Sequence, residues 1–280
     1  MKVYLCTNFN KEKSRAVLTE TVERLITLGI VPMLSVSLRE EFFFADAEYR
    51  EEGVLPEDCD LIVTIGGDGT ILKWGIKAAL AGKPLLGINT GRLGFMTAIE
   101  ADELDRLSAL KNGNYRFSRR MLLDLILSDG RRFSALNDVV LSRRFDKKLP
   151  EFRVRINGID ISRLRADGLI FSTPTGSTAY ALSAGGPIIE PSVECVEMTL
   201  LCAHTLWNRP MIFSANDVIT VSFGGTTDEV DVCADGDGGL LLRAGETLTI
   251  RRSALSLELV DIENNGFYSA VNDKLIQPFK

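Results

Sequence analysis

Leu61-Ile62-Val63-Thr64-Ile65-Gly66-Gly67-Asp68-Gly69-Thr70 is the stretch on which the fold turns. Five uncharged residues, four of them β-branched, run straight into glycines. An apolar pattern at helical spacing follows over 71–80. A strand with no polar alternation is one buried on both faces, as in a parallel sheet covered by helices. Working outward, the same alternation continues on both sides. Before it come a strand at 3–6, a helix at 14–28 carrying Val17, Leu18, Val22, Leu25 and Ile26 and stopping at Gly29, and a strand at 31–36. After it come a strand at 85–88 and a helix at 100–110. Strands alternating with helices predict an α/β, Rossmann-like domain with a parallel sheet over residues 1–111.

Beyond about residue 112 the pattern changes. Strand-length runs at 122–127, 152–156, 169–171, 218–223 and 255–260 are separated by turn pairs such as Asp129-Gly130, Asn157-Gly158 and Gly224-Gly225, and helical spacing is sparse. Residues 112–265 therefore read as a β-rich, sandwich-like domain.

Composition narrows the function classes. The 280 residues carry a net charge of −6, 45% hydrophobic and 25% charged residues, ordinary for a globular protein with real cores. Basic pairs (Arg119-Arg120, Arg131-Arg132, Arg143-Arg144, Lys147-Lys148) are scattered among acids, so a nucleic-acid partner is not expected. Five cysteines, an odd number without a Cys-x-x-Cys pair, argue for a reducing, cytoplasmic setting and for small core residues rather than disulfides or a zinc ribbon. The opening residues read as a first strand and not a signal peptide, and no run is long enough to cross a bilayer, so no membrane partner is expected.

Two segments carry chemistry. In Gly66-Gly67-Asp68-Gly69-Thr70 the glycines let backbone approach a phosphate, and a helix start at Thr70 offers free N–H groups to an anion. A carboxylate in such a loop needs a purpose. Asp68 as a general base for a hydroxyl supplies one, and so does a Mg²⁺ ligand; the plain alternative is a tight turn that Asp68 caps locally. The P-loop pattern is absent, and so is a Gly-x-Gly-x-x-Gly after a strand. The second segment, Asp167-Gly168-Leu169-Ile170-Phe171-Ser172-Thr173-Pro174-Thr175-Gly176-Ser177-Thr178-Ala179-Tyr180, leads an apolar strand into a loop dense in hydroxyls and small residues. It suits a flat polar ligand or is an ordinary Ser/Thr turn cluster. His204, the single histidine, reads as a structural residue near the core, and Trp74 and Trp207 read as packing residues. Ser183 lacks the preceding glycine of a nucleophile elbow, which disfavours a Ser-His hydrolase.

Together these segments resemble the NAD kinase family over nearly the whole chain from residue 61. The resemblance rests on Gly66–Thr70, on Asn89-Thr90-Gly91-Arg92-Leu93-Gly94-Phe95, on Asn137-Asp138, on the block from Asp167 to Pro187, on His204-Thr205-Leu206 with Arg209-Pro210, and on Ala234-Asp235-Gly236. It implies transfer of the γ-phosphoryl group of ATP, or another donor, to the 2′-hydroxyl of the adenosine ribose of NAD, giving NADP. It implies Mg²⁺ accompanying the triphosphate with no fixed protein site, a homodimer or homotetramer, and a chain end (266–280) that packs back on the first domain. By position, Asp68 is the implied base, Gly69 borders the ligand, Lys73 faces phosphate and Phe95 lines the pocket. Asn137 and Asp138 bind adenine and ribose, and Arg165 and Asp167 contact the dinucleotide. Thr178, Ala179, Tyr180 and Ser183 line its adenine and nicotinamide pockets, and Lys148 holds a position that often contacts ligand. Two departures stand out: Asp138 replaces the usual Glu, and Asp237 stands where many members carry Gln beside the dinucleotide. Gly-Gly-Asp-Gly alone is shared with lipid kinases and phosphofructokinases, and a dinucleotide sensor without turnover is a further alternative.

Overall fold

The structure is a computed structural model describing every residue except 92, 93, 146, 205–207, 226, 263–265 and 277–280, together with the side chains at 162 and 266. Arg92 and Leu93 of the Asn89–Phe95 motif, Thr205-Leu206 and Trp207 therefore lie outside the described residues. The chain separates into two compact units: Met1–Arg119 with Leu257–Lys280, and Arg120–Ser256.

The first unit runs β1 (Lys2–Thr7), α1 (Ser14–Thr27), β2 (Val31–Ser35), β3 (Glu48–Arg50), β4 (Leu61–Gly66), α2 (Asp68–Ala81), β5 (Leu85–Asn89), β6 (Ile99–Glu100) and α3 (Ser108–Asn112). Its strands pair in parallel in the order β5–β4–β1–β2–β3. Every residue of β4 is buried, because β1 and β5 flank it and helices cover it. One core gathers Val3, Leu5, Leu18, Leu25, Val63, Ile65 and Ile88. Helix α2 ends at Gly82, whose φ of 61° lets the amide of Lys83 reach back to the Ala78 carbonyl at 3.0 Å.

The helix expected over 100–110 resolves differently. Strand β6 is followed by a 3₁₀ turn, Leu104–Leu107, and only then by the short α3. The apolar residues explain it: Leu104, Leu107 and Leu110 are buried at a spacing of three, the 3₁₀ period.

The second unit contains β7 (Arg116–Leu127, beginning in the first unit), β8 (Arg132–Ala135), β9 (Asp138–Arg143), β10 (Glu151–Ile156), β11 (Ile159–Arg165), β12 (Gly168–Ser172), α4 (Tyr180–Ser183), β13 (Cys195–Leu201), β14 (Met211–Ser214), β15 (Ile219–Gly224), β16 (Glu229–Ala234), β17 (Asp237–Arg243) and the long β18 (Leu248–Asp261). One antiparallel sheet has the order β14–β13–β12–β9–β16–β17. The other pairs β11–β10–β15 with the start of β18. Alternate residues of both, such as Val139, Leu141, Phe171 and Met198 from one and Phe152, Val154, Val221 and Ile250 from the other, form a single core, as in a sandwich. The end of β18 returns to the first unit, where Leu259 pairs with Leu85 and Val260 joins the core. Helix α5 (Gly266–Val271) and a π-type turn, Asn272–Ile276, follow.

Candidate functional site

In the first unit the polypeptide leaves β4 at Gly66 and enters α2 at Asp68, three residues earlier than the apolar pattern suggests. Gly67 is extended, and its carbonyl accepts the amides of Thr70 (2.8 Å) and Ile71 (3.3 Å), which opens the helix before its first core residue. Thr70 Oγ1 in turn accepts the Gly67 N–H at 3.4 Å. A Cβ at Gly66 would overlap Thr70 Oγ1, so this crossing needs a glycine.

Asp68 is half-buried at the first position of the helix. Its Oδ2 accepts the Phe95 N–H at 2.8 Å and its Oδ1 the Met96 N–H at 3.2 Å. A Cβ at Gly94 would overlap Asp68 Oδ1, so the loop after β5 is shaped around the carboxylate. That loop is tied down by Thr90, whose amide donates to the Gly66 carbonyl at 2.7 Å, and by Asn89, whose Nδ2 donates to Glu100 Oε2 at 2.8 Å. Burial raises the Glu100 pKa. Gly69 and Lys73 are exposed on the same helix. The ring of Phe95 is half-buried, 6.3 Å from that of Phe267, and Lys274 Nζ lies 4.1 Å from its centroid. Trp74 packs edge-on against Tyr4 at 5.8 Å, as a packing residue should.

In the second unit the site grows from one turn. Asp235-Gly236 joins β16 to β17, and both residues have positive φ (51° and 83°), the twist a two-residue hairpin requires. The Asp235 carboxylate then accepts three backbone amides, those of Leu136 (2.7 Å), Asn137 (2.7 Å) and Asp138 (3.1 Å). The same short segment is gripped from the other side. Thr173 Oγ1 donates to the Leu136 carbonyl at 2.6 Å, and Gly176 sits so close to the Asn137 carbonyl that a Cβ would overlap it. The hydroxyls at 172–178 are thus largely engaged in building the loop: Ser177 Oγ donates to the Pro174 carbonyl (2.7 Å) and accepts the Ile189 amide (3.0 Å).

Among the described residues of this site three buried polar atoms lack partners: Asn137 Oδ1, Thr175 Oγ1 and Glu197 Oε2. Orphaned buried acceptors and donors in an otherwise satisfied loop are what a ligand would complete. Asp138 is 5% exposed, and its pKa is raised to about 7 by burial and then by the Asp235 charge. Register places Asp138 beside Ser172 and Ser172 beside Glu197 on neighbouring strands. Glu197 is fully buried, accepts the Thr199 hydroxyl at 2.6 Å, and has its pKa raised by burial.

The predicted residues thus fall into two groups, one per unit: Asp68, Gly69, Lys73 and Phe95 in the first, the remainder in the second. Within the second, the Asn137 carbonyl accepts the Thr173 amide at 2.8 Å, and Asp138 stands opposite Ser172 on the neighbouring strand. Thr178 and Ala179 are partly buried, and Tyr180, Ser183, Lys148, Arg165 and Asp237 are exposed. Asp167 forms an ion pair with Arg143 (2.9 Å). His204 is exposed rather than near the core, with its amide donating to the Arg165 carbonyl at 2.7 Å, and Cys202 is likewise exposed. The amino-acid sequence places Asp235 and Thr175 inside the motifs that carry the resemblance but gives neither an individual role, and it marks neither Glu197 nor Lys274. The Asp-Gly dipeptide at 235–236 carries the local signal of a hairpin turn.

Comparison with known proteins agrees with this geometry. The ATP-NAD kinase N-terminal domain matches residues 3–115 and the ATP-NAD kinase C-terminal domain matches residues 136–262. The chain is 38% identical to the NAD kinase of Desulforamulus reducens over 234 residues, covering 80% of this chain and 81% of that one. It is 34% identical to the NAD kinase of Caldanaerobacter subterraneus subsp. tengcongensis over 285 residues, covering 99% of both. Among solved structures, yeast NADH kinase complexed with NADH superposes with a TM-score of 0.87 at 25% identity, covering all of this chain and 89% of that one. An NAD kinase from Archaeoglobus fulgidus in complex with ATP gives a TM-score of 0.72 at 25% identity, covering 97% and 99%. A glycine-framed aspartate at the helix start that follows a parallel strand, a β-sandwich that orders Asn137 and Asp138, and matches to both family domains lead to one assignment: the chain belongs to the NAD kinase family.

Proposed function

We propose that the protein phosphorylates NAD on the 2′-hydroxyl of its adenosine ribose, producing NADP, with ATP as donor and Asp68 as the base. The observation that carries the role of Asp68 is its carboxylate, fixed by the amides of Phe95 and Met96 with Gly94 moulded against it. Each oxygen uses one lone pair on an amide and keeps another for a proton. As the 2′-oxygen attacks the γ-phosphorus in line, the new P–O bond forms and the bond to the bridging oxygen breaks. The diphosphate leaves and Asp68 takes the hydroxyl proton. The divalent cation enters as part of the triphosphate substrate. Glycine-loop amides and Lys73 offset charge on the transferring group.

In the second unit, Asn137 and Asp138 take the adenine and ribose; the unsatisfied Asn137 Oδ1 and Thr175 Oγ1 support that reading. Phe95, Thr178, Ala179, Tyr180 and Ser183 line the dinucleotide, with Arg165, Asp167, Lys148 and Asp237 at its margins. Asp167 would have to share itself between ligand and Arg143. The active form is a homo-oligomer in the cytoplasm. Among the described residues no helix is long and apolar enough to cross a membrane.

The test is NADP formation from NAD, ATP and Mg²⁺ by purified wild type beside Asp68→Asn. The variant is expected to bind NAD but lose about 10²–10⁴-fold in kcat, the usual worth of a positioned base. Near-normal turnover in Asp68→Asn would remove Asp68 from that role.

A further inference from the structure

We propose that Lys274, on the turn Asn272–Ile276, is a second charged catalytic residue, whose ammonium meets the phosphoryl group as it is transferred at Asp68. This rests on the reading of Asp68 as the base and adds a residue to it.

Three observations converge on Lys274. Its Nζ lies 4.1 Å from the centroid of Phe95, the residue whose amide holds Asp68 Oδ2. The side chain is half-buried, so the ring and its surroundings restrict where the ammonium can go. Two carboxylates act on it electrostatically, Asp68 from α2 and Glu100 from β6, and burial lowers its pKa against their pull. Yet no ion pair involving Lys274 forms among the described residues. Glu100 is already engaged by Asn89 and has Asp102 and Glu103 as acidic neighbours.

A half-buried ammonium that rests on one ring face and forms an ion pair with neither nearby acid has its charge only partly compensated. It is well explained as a group that awaits an anion. The anion this place offers is the phosphoryl group in flight, whose charge spreads over three equatorial oxygens. Lys274 and the amino-terminal end of α2 then supply positive charge beside the same carboxylate. Lys274 gives and takes no proton in this step. The proton passes from the 2′-hydroxyl to Asp68, and the lysine offsets the charge that the base and the phosphoryl oxygens together create. Lys73, exposed on the outer face of α2, lacks this immobilisation.

The experiment is steady-state kinetics with NAD and Mg-ATP each varied, on wild type, Lys274→Met, Lys274→Arg and Asp68→Asn, with the melting temperature of each. Loss of a fixed charge-stabilising donor is typically worth about 10²–10³ in kcat. Lys274→Met is expected to lose on that order, to keep its KM for NAD within about twofold and to melt with the wild type. Lys274→Arg is expected to recover at least a tenth of wild-type kcat. Wild-type kcat in Lys274→Met would overturn the proposal. An Arg variant as impaired as the Met variant, with both melting lower than wild type, would overturn it too, by showing a structural role. If Lys274→Met does not fold, Lys274→Gln is read in the same way. Asp68→Asn separates the two readings: its near-normal turnover would remove the base, whereas its inactivity beside an unaffected Lys274→Met would remove the lysine alone.

Discussion

A buried aspartate that ionises near neutrality acts on stability and on binding at once. Asp138 titrates at about 7 in the folded chain, against 3.8 for an ordinary aspartate. The stability advantage of its protonated form is complete below the unfolded value and is lost as pH rises through 7. Above that, the fold holds a desolvated carboxylate at a cost on the order of a few kcal/mol. Asp138→Asn is therefore expected to raise the melting temperature of the ligand-free protein, more at pH 8 than at pH 5, and to raise the KM for NAD. Equal melting shifts at both pH values would show that Asp138 is not the titrating group. At this scale Asp68 was legible, because glycines on both sides of a carboxylate after a buried strand mark a loop built to meet a ligand. The role of Asp235, a residue within a motif of the resemblance, was not, since its three amide partners lie 97 to 99 residues away. Lys274 sits in a polar stretch, Asn272-Asp273-Lys274, with no periodicity to mark it.

Elements turn sharply where a residue could not be anything larger. Gly94 faces the Asp68 carboxylate and Gly176 faces the Asn137 carbonyl, neither leaving room for a methyl group. Gly94→Ala is expected to push Asp68 off the amides of Phe95 and Met96 and lower kcat by at least tenfold with little change in KM for NAD. Gly176→Ala presses on backbone and is expected to raise KM for NAD and lower the melting temperature together. A Gly176→Ala enzyme with wild-type KM would mean that the segment at 136–138 does not set dinucleotide affinity. Strand–helix alternation and hairpin pairs such as Asn157-Gly158, both at positive φ, could be read from sequence because they are local. The helix expected over 100–110 could not, because leucines three apart fit either an α-helix edge or a 3₁₀ turn, and the carbonyl partners decide.

Each unit has its own core, and the second lies within the first in chain order. The pattern changes near residue 112, but the two crossings themselves carry no local signal, since β7 and β18 run unbroken through them. A chain ending at Ser256 would lack the Leu259–Leu85 pairing and the buried Val260. Limited proteolysis of that truncation is expected to digest residues 1–119 while leaving 120–256 protected; a protected amino-terminal fragment would show that the first unit does not depend on the returning strand.

For a ribosome making this protein, β18 sets a clock. The strand that β5 needs as its neighbour emerges about 170 residues later, which at bacterial or eukaryotic elongation speeds is on the order of ten seconds or more. Throughout that interval β6 covers only the Ile88–Asn89 end of β5, and the Leu85 end of that edge stays open. The inner unit can close first, and the first unit completes its sheet only after residue 259 has emerged.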